Sequence, residues 1–140
     1  MSLFQKTVCL SVKTIENLKK YTMKEFMLFI KTEGDHVAKL SPDQQQQHIE
    51  KVGAYLQDLM EKGKLKGAQP LEIGGAVVSG RTGAFHDGPF NEAKEVIVGY
   101  FHIVAEDIDE AIAIAKANPT FDEGEAIMEI RPIRSVEGIN

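Results

Sequence analysis

Apolar positions along this chain change period several times, and each change marks an element. From Glu25 to Lys31 they alternate, with Phe26, Leu28 and Ile30 on one face and Met27 and Phe29 on the other, which predicts a strand. Thr32 to Leu40 is a loop containing Gly34. Ser41-Pro42-Asp43-Gln44 then combines a capping hydroxyl, a proline suited to the first helical position and a glutamine completing a capping box. The helix it opens is expected to run to about Lys62 and stop at Gly63, with Ile49, Val52, Leu56, Leu59 and Met60 as its apolar stripe.

Residues 64–79 read as a second extended segment, interrupted near Pro70, before the turn signal Gly80-Arg81-Thr82-Gly83. Ala84 to Glu95 is a loop or short hairpin arm. Val96 to Val104 is a strand apolar on both faces: Ile97, Gly99, Phe101 and Ile103 form one row, and Val98, Tyr100, His102 and Val104 the other. Asp107-Ile108-Asp109-Glu110 reads as a second capping box. Its helix is expected to reach about Asn118, with Ile108, Ala111, Ile112 and Ala115 inward and Pro119 preventing continuation. A last strand spans about Glu125 to Ile133.

The order β-α-β-β-α-β is the split arrangement of a ferredoxin-like α+β fold, a four-stranded antiparallel sheet with two helices on one face. The other face then presents Met27, Phe29 and an apolar row of the 96–104 strand to water, and exposed patches of that kind mark interfaces. A homodimer through the sheet faces, enclosing a barrel-like interior, is the simplest remedy. Cover by residues 1–22 or by the 80–95 loop is the alternative.

Composition narrows the setting. At 140 residues, the chain is expected to hold one domain, residues 23–140, behind an N-terminal extension, residues 1–22. The net charge of −5 argues against nucleic-acid partners and anionic membrane surfaces. No apolar run approaches the length of a membrane span, and the lysine-containing lead lacks a signal-peptide core. One cysteine, Cys9, cannot form an internal disulfide, so a cytoplasmic location is the default.

The run Asp87-Gly88-Pro89-Phe90-Asn91-Glu92-Ala93-Lys94-Glu95, followed by Gly99-Tyr100-Phe101, Asp109-Glu110-Ala111 and Asn118-Pro119, resembles the DGPF branch of the YCII family over about residues 23–133. Alanine at 93 stands where that family usually has threonine. The resemblance implies a ferredoxin-like fold in the dimeric α/β-barrel group and a His–Asp pair, which falls on His48 and Asp87. Members and fold relatives include dehydrochlorinases and lactone isomerases, and some DGPF proteins are encoded near sigma factors.

Taken on their own, these residues leave two readings open. At about 100° per residue, His48 stands roughly 70° from the centre of the expected apolar stripe, half-buried and near Tyr55, where an imidazole serves acid/base chemistry or simply bonds water. Asp87 either orients that imidazole or shapes the Asp-Gly-Pro turn. Tyr55, His86, Pro89, Phe90, Glu95, Tyr100 and His102 are candidate substrate contacts. No serine or cysteine has a nucleophilic context, so proton transfer is favoured over acyl transfer. The four histidines show no i,i+4 pair or short Cys/His spacing, so neither metal nor cofactor is expected; a cluster of His48, His86 and Asp87 is the conceivable exception. A small-molecule enzyme of isomerase, lyase or dehydrochlorinase type acting on a small organic acid is the leading expectation. A non-catalytic ligand-binding or regulatory dimer is the alternative.

Overall fold

A computed structural model of the chain describes residues 23–89 and 95–140. Strand β1 spans Lys24–Thr32, helix α1 Pro42–Glu61, β2 Leu65–Pro70, β3 Ala76–Arg81, β4 Ala84–Pro89, β5 Val96–Ala105, helix α2 Ile108–Lys116 and β6 Ile127–Pro132. A short 3₁₀ helix, Pro119–Glu123, joins α2 to β6. The main sheet has the order β2-β5-β1-β6, and its neighbouring strands are all antiparallel. With β3 and β4 set aside as a separate two-stranded ribbon, this is the ferredoxin-like βαββαβ order. The expected extension at residues 1–22 lies outside the described residues.

Local chemistry explains the helix ends. Ser41 Oγ accepts from the Gln44 amide while the Gln44 side chain accepts from the Ser41 amide, so the capping box closes in both directions. At the other end Gly63 takes φ +67°, and the Gly63 and Lys64 amides donate to the Met60 and Leu59 carbonyls, a Schellman stop. The second box is half made. Asp107 accepts from the Glu110 amide, but the Glu110 carboxylate turns to Lys64 instead.

Phe26, Leu28 and Ile30 of β1 meet Phe101, Ile103 and Ala105 of β5, and Leu59, Ala111, Ile114 and Ala115 of the helices close over them. Both helices therefore cover one face of the sheet. Three sequence expectations about which way side chains face are corrected: the inward stripes of both helices and the strict alternation of β5. Ile49 and Met60 are exposed on α1, whose inward line runs through His48, Val52, Tyr55, Leu56 and Leu59 instead. On α2, Ile108 is exposed and Ile114 is buried. On β5, Ile97 is exposed while Val98 packs against the core. A bulge explains the last of these. The β1 register runs from Ile30↔Gly99 to Lys31↔Ile97 and skips Val98, so the alternation breaks there.

The turn between β3 and β4 depends on Gly80. Its φ is +107°, and a Cβ there would lie 2.2 Å from the Ala84 carbonyl oxygen. Residues 84–89 thus form the hairpin arm that the turn signal suggested.

Candidate active site

The bulge, the α1 stripe and the residues after α2 converge on one cavity. It measures about 560 Å³, within the range of small-molecule sites. Its wall is largely aliphatic, from Ile30, Val52, Leu56, Leu71, Ile73 and Val98, with Tyr100 and Phe101 from β5. His36 and His48 bring polar groups to the same wall, as do Asn118 and Thr120.

His48 reaches this wall because it lies on the inward line of α1, one turn before Val52. Its Nδ1 lies 2.5 Å from Glu123 Oε1 at the end of the 3₁₀ helix. Asn118 builds that helix: its Oδ1 accepts from the Thr120 amide, and Pro119 holds the first position. Gly124, at φ +149°, ends it, leaving Glu123 aimed back at α1. His36, from the β1–α1 loop, stands edge-on to His48 with ring centroids 5.6 Å apart. Its Nε2 lies 3.4 Å from Glu123 Oε2, an ion-pair distance without hydrogen-bond geometry. The side chains of His36, His48 and Glu123 are 22%, 14% and 12% exposed, so the trio is held largely away from water.

The residues marked out by sequence divide sharply. His48 and Tyr100 line the cavity. Asp87 does not: it is exposed on β4, paired in register with Val78, and the carboxylate brought to His48 is that of Glu123. His86 is exposed beside it, and its carbonyl accepts weakly from Ser79 Oγ. The conceivable cluster of His48, His86 and Asp87 is therefore replaced by His48, His36 and Glu123. Pro89 ends β4, opposite Ala76. Phe90 lies outside the described residues. Glu95 is exposed and lines a different, more polar depression with Lys31 and Glu33.

Tyr55 serves the core. Its hydroxyl donates to the Ile114 carbonyl at 2.6 Å, and its ring meets Phe101 edge-on at 5.8 Å. Burial pushes the phenol up to about 12, while the nearby Asn118 amide pulls weakly the other way. That amide nitrogen, buried at the cavity wall, makes no hydrogen bond of normal geometry.

His102 faces away from the helices, where β1 pairs it with Met27, and its Nε2 lies 3.0 Å from Glu25 Oε1. Lys66 binds the same oxygen at 2.7 Å. The Lys66 hydrogen bond is the main reason the Glu25 carboxyl sits below its ordinary value; desolvation opposes it, and the Lys66 charge and His102 assist.

Sequence reasoning missed Glu123 as a site residue and considered His36 only among the histidines. The available signal was Asn118-Pro119 with Gly124, which delimits a short turn and fixes what it carries. Nothing local joins that turn to a helix 75 residues earlier.

Fold and site together define a class: a ferredoxin-like α+β domain with a cavity of small-molecule size and, in its wall, an imidazole held from behind by a carboxylate. The family model of the YCII-related domain matches residues 24–135, and the chain belongs to that family. None of the curated proteins compared with it matches.

Proposed function

We propose that the protein binds a small organic molecule with a substantial apolar body in this cavity and transfers a proton to or from it. The supporting observation is a 560 Å³ aliphatic cavity whose polar wall holds His48 against Glu123. A proton shuttle needs a base held within hydrogen-bond reach of a group that fixes its orientation. Glu123 accepts that duty for Nδ1, which leaves Nε2 of His48 as the nitrogen for a substrate. This equipment suits isomerisation or elimination in a small organic acid, of lyase or dehydrochlorinase type. Asp87 in this reading acts away from His48, as a residue of the ribbon.

The test is a binding and turnover screen of small carboxylic acids and lactones, repeated with Val52→Trp to fill the cavity and His48→Ala to remove the base. Ligand binding is expected in wild type and His48→Ala but not in Val52→Trp, with turnover confined to wild type. Binding unaffected by Val52→Trp would remove the cavity from the argument. The aliphatic character of the wall also favours a second reading, binding without reaction, under which His48→Ala changes nothing but affinity.

The working form we propose is a homodimer through the open sheet face, in a cytoplasmic setting. Met27, Phe29 and Val104 lie on that face, and none of them belongs to the fully buried set. Light scattering is expected to give two chains per particle, and one chain for Phe29→Glu. A monomeric wild type would end this part of the proposal.

A further inference from the structure

We propose that His36, His48 and Glu123 bind one divalent transition-metal cation of the zinc type. The inference uses the polar wall of the same cavity but does not depend on any ligand being turned over there.

Three separate segments supply the groups: the β1–α1 loop, α1 and the 3₁₀ helix. One ligand-type atom from each lies within 4.8 Å of the others. Two imidazoles and a carboxylate are the donor set that zinc takes in catalytic sites, where three protein ligands leave a further position open. Harder cations fit poorly, because calcium seeks six to eight oxygens and magnesium keeps a shell of water.

The hydrogen bonding supplies a second, independent observation. A simple brace between α1 and the 3₁₀ helix accounts for the contact of His48 with Glu123. It does not account for Nδ1 and Nε2 of His36 and Oε2 of Glu123, which are buried without a hydrogen bond, Nε2 and Oε2 standing 3.4 Å apart. Polar atoms buried in that state are costly, and native structures hold few of them. Here they are gathered in one trio. A cation between them would satisfy Oε2 and one His36 nitrogen at once, and would neutralise the carboxylate in a site that water scarcely reaches. Asp35 is adjacent, but its Oδ1 accepts from the Ala38 amide at 3.2 Å and is engaged in the turn.

Both histidines line the cavity, so an open coordination position would face whatever occupies it. In the loaded protein His48 would be a ligand, and a water on the cation would become the proton-transferring group. Such water is far more acidic than bulk water.

The experiment uses the untagged full chain, freed of metal by chelation, titrated with Zn²⁺ by calorimetry and with Co²⁺ by visible absorption. One cation per chain is expected, with Co²⁺ bands typical of low coordination number. His36→Gln and Glu123→Gln should each weaken binding by about tenfold or more, given that even outer residues of metal sites cost that much. His86→Ala, which alters an exposed histidine on the ribbon, should bind as wild type does. Far-UV circular dichroism establishes that each variant is folded, and a variant that is not folded is replaced by His36→Asn or Glu123→Ala. Absence of a stoichiometric site in wild type, or equal affinity in folded variants, would overturn the proposal. The cavity reading fails separately, through Val52→Trp, which leaves all three ligands in place.

Discussion

His48 Nδ1 and Glu123 Oε1 stand 2.5 Å apart although 75 residues separate them in the chain. The contact ties the middle of one face of α1 to the turn between α2 and β6. It engages one nitrogen of the imidazole, Nδ1, and sets the orientation of the ring. Its partner is a residue without any motif around it.

Glu123→Ala should therefore destabilise the chain even without a ligand. Removing the carboxylate strands His48 Nδ1 and takes away a largely buried hydrogen bond to a charged group, a loss of about 1.5–3 kcal/mol. Urea denaturation in the presence of a chelator measures it as a lowered midpoint with unchanged slope. An unchanged midpoint would mean that the contact does not form in solution.

Tyr55 predicts an alkaline dependence. Its phenol is raised by burial from 10.0 to about 12, so the folded chain holds this proton more tightly than the unfolded chain. The corresponding stability is fully present below pH 10 and is lost as pH rises from 10 through about 12. Two units correspond to roughly 2–3 kcal/mol at most. Tyr55→Phe should cost about 1 kcal/mol near neutral pH for the lost bond to Ile114 and should flatten this decline. Denaturation midpoints of the two proteins across that range compare them directly. Parallel curves would show that the hydroxyl is not buried.

Gly80→Ala should act locally. The new methyl meets the Ala84 carbonyl oxygen, and the backbone there is left-handed, so the β3–β4 ribbon cannot keep its turn. Every residue of β3 is exposed and the ribbon pairs only with itself among the described residues, so little core energy depends on it. Proteolysis within residues 71–89 should accelerate several-fold while the thermal midpoint moves by only a few degrees. A large fall in the midpoint would place the ribbon in the cooperative core.

Much of this was legible in the chain because the governing forces are local. Ser41 to Gln44 and Gly63 set α1 by capping and by a left-handed stop. Alternation from Phe26 to Ile30 set β1 and its inward face. The βαββαβ order followed from counting elements, and the family resemblance from the motifs between Asp87 and Pro119.

Local patterning thus accounts for the four strands of the main sheet, the two helices, their order and the presence of His48 on a half-buried helix face. Tertiary structure alone decided the rest. The bulge at Val98 reversed part of β5 because pairing with β1 outweighs ideal alternation. The inward face of α1 turned to take in His48 and leave out Ile49, since helix rotation is set by what packs beneath it. His36 and Glu123 joined His48 only when the loop, helix and 3₁₀ turn were brought together, because a contact over 75 residues leaves no periodic trace in the chain. Asp87 carried the motif yet belongs to a ribbon outside the cavity, since a turn signal fixes local backbone shape and says nothing about which distant side chain it will meet.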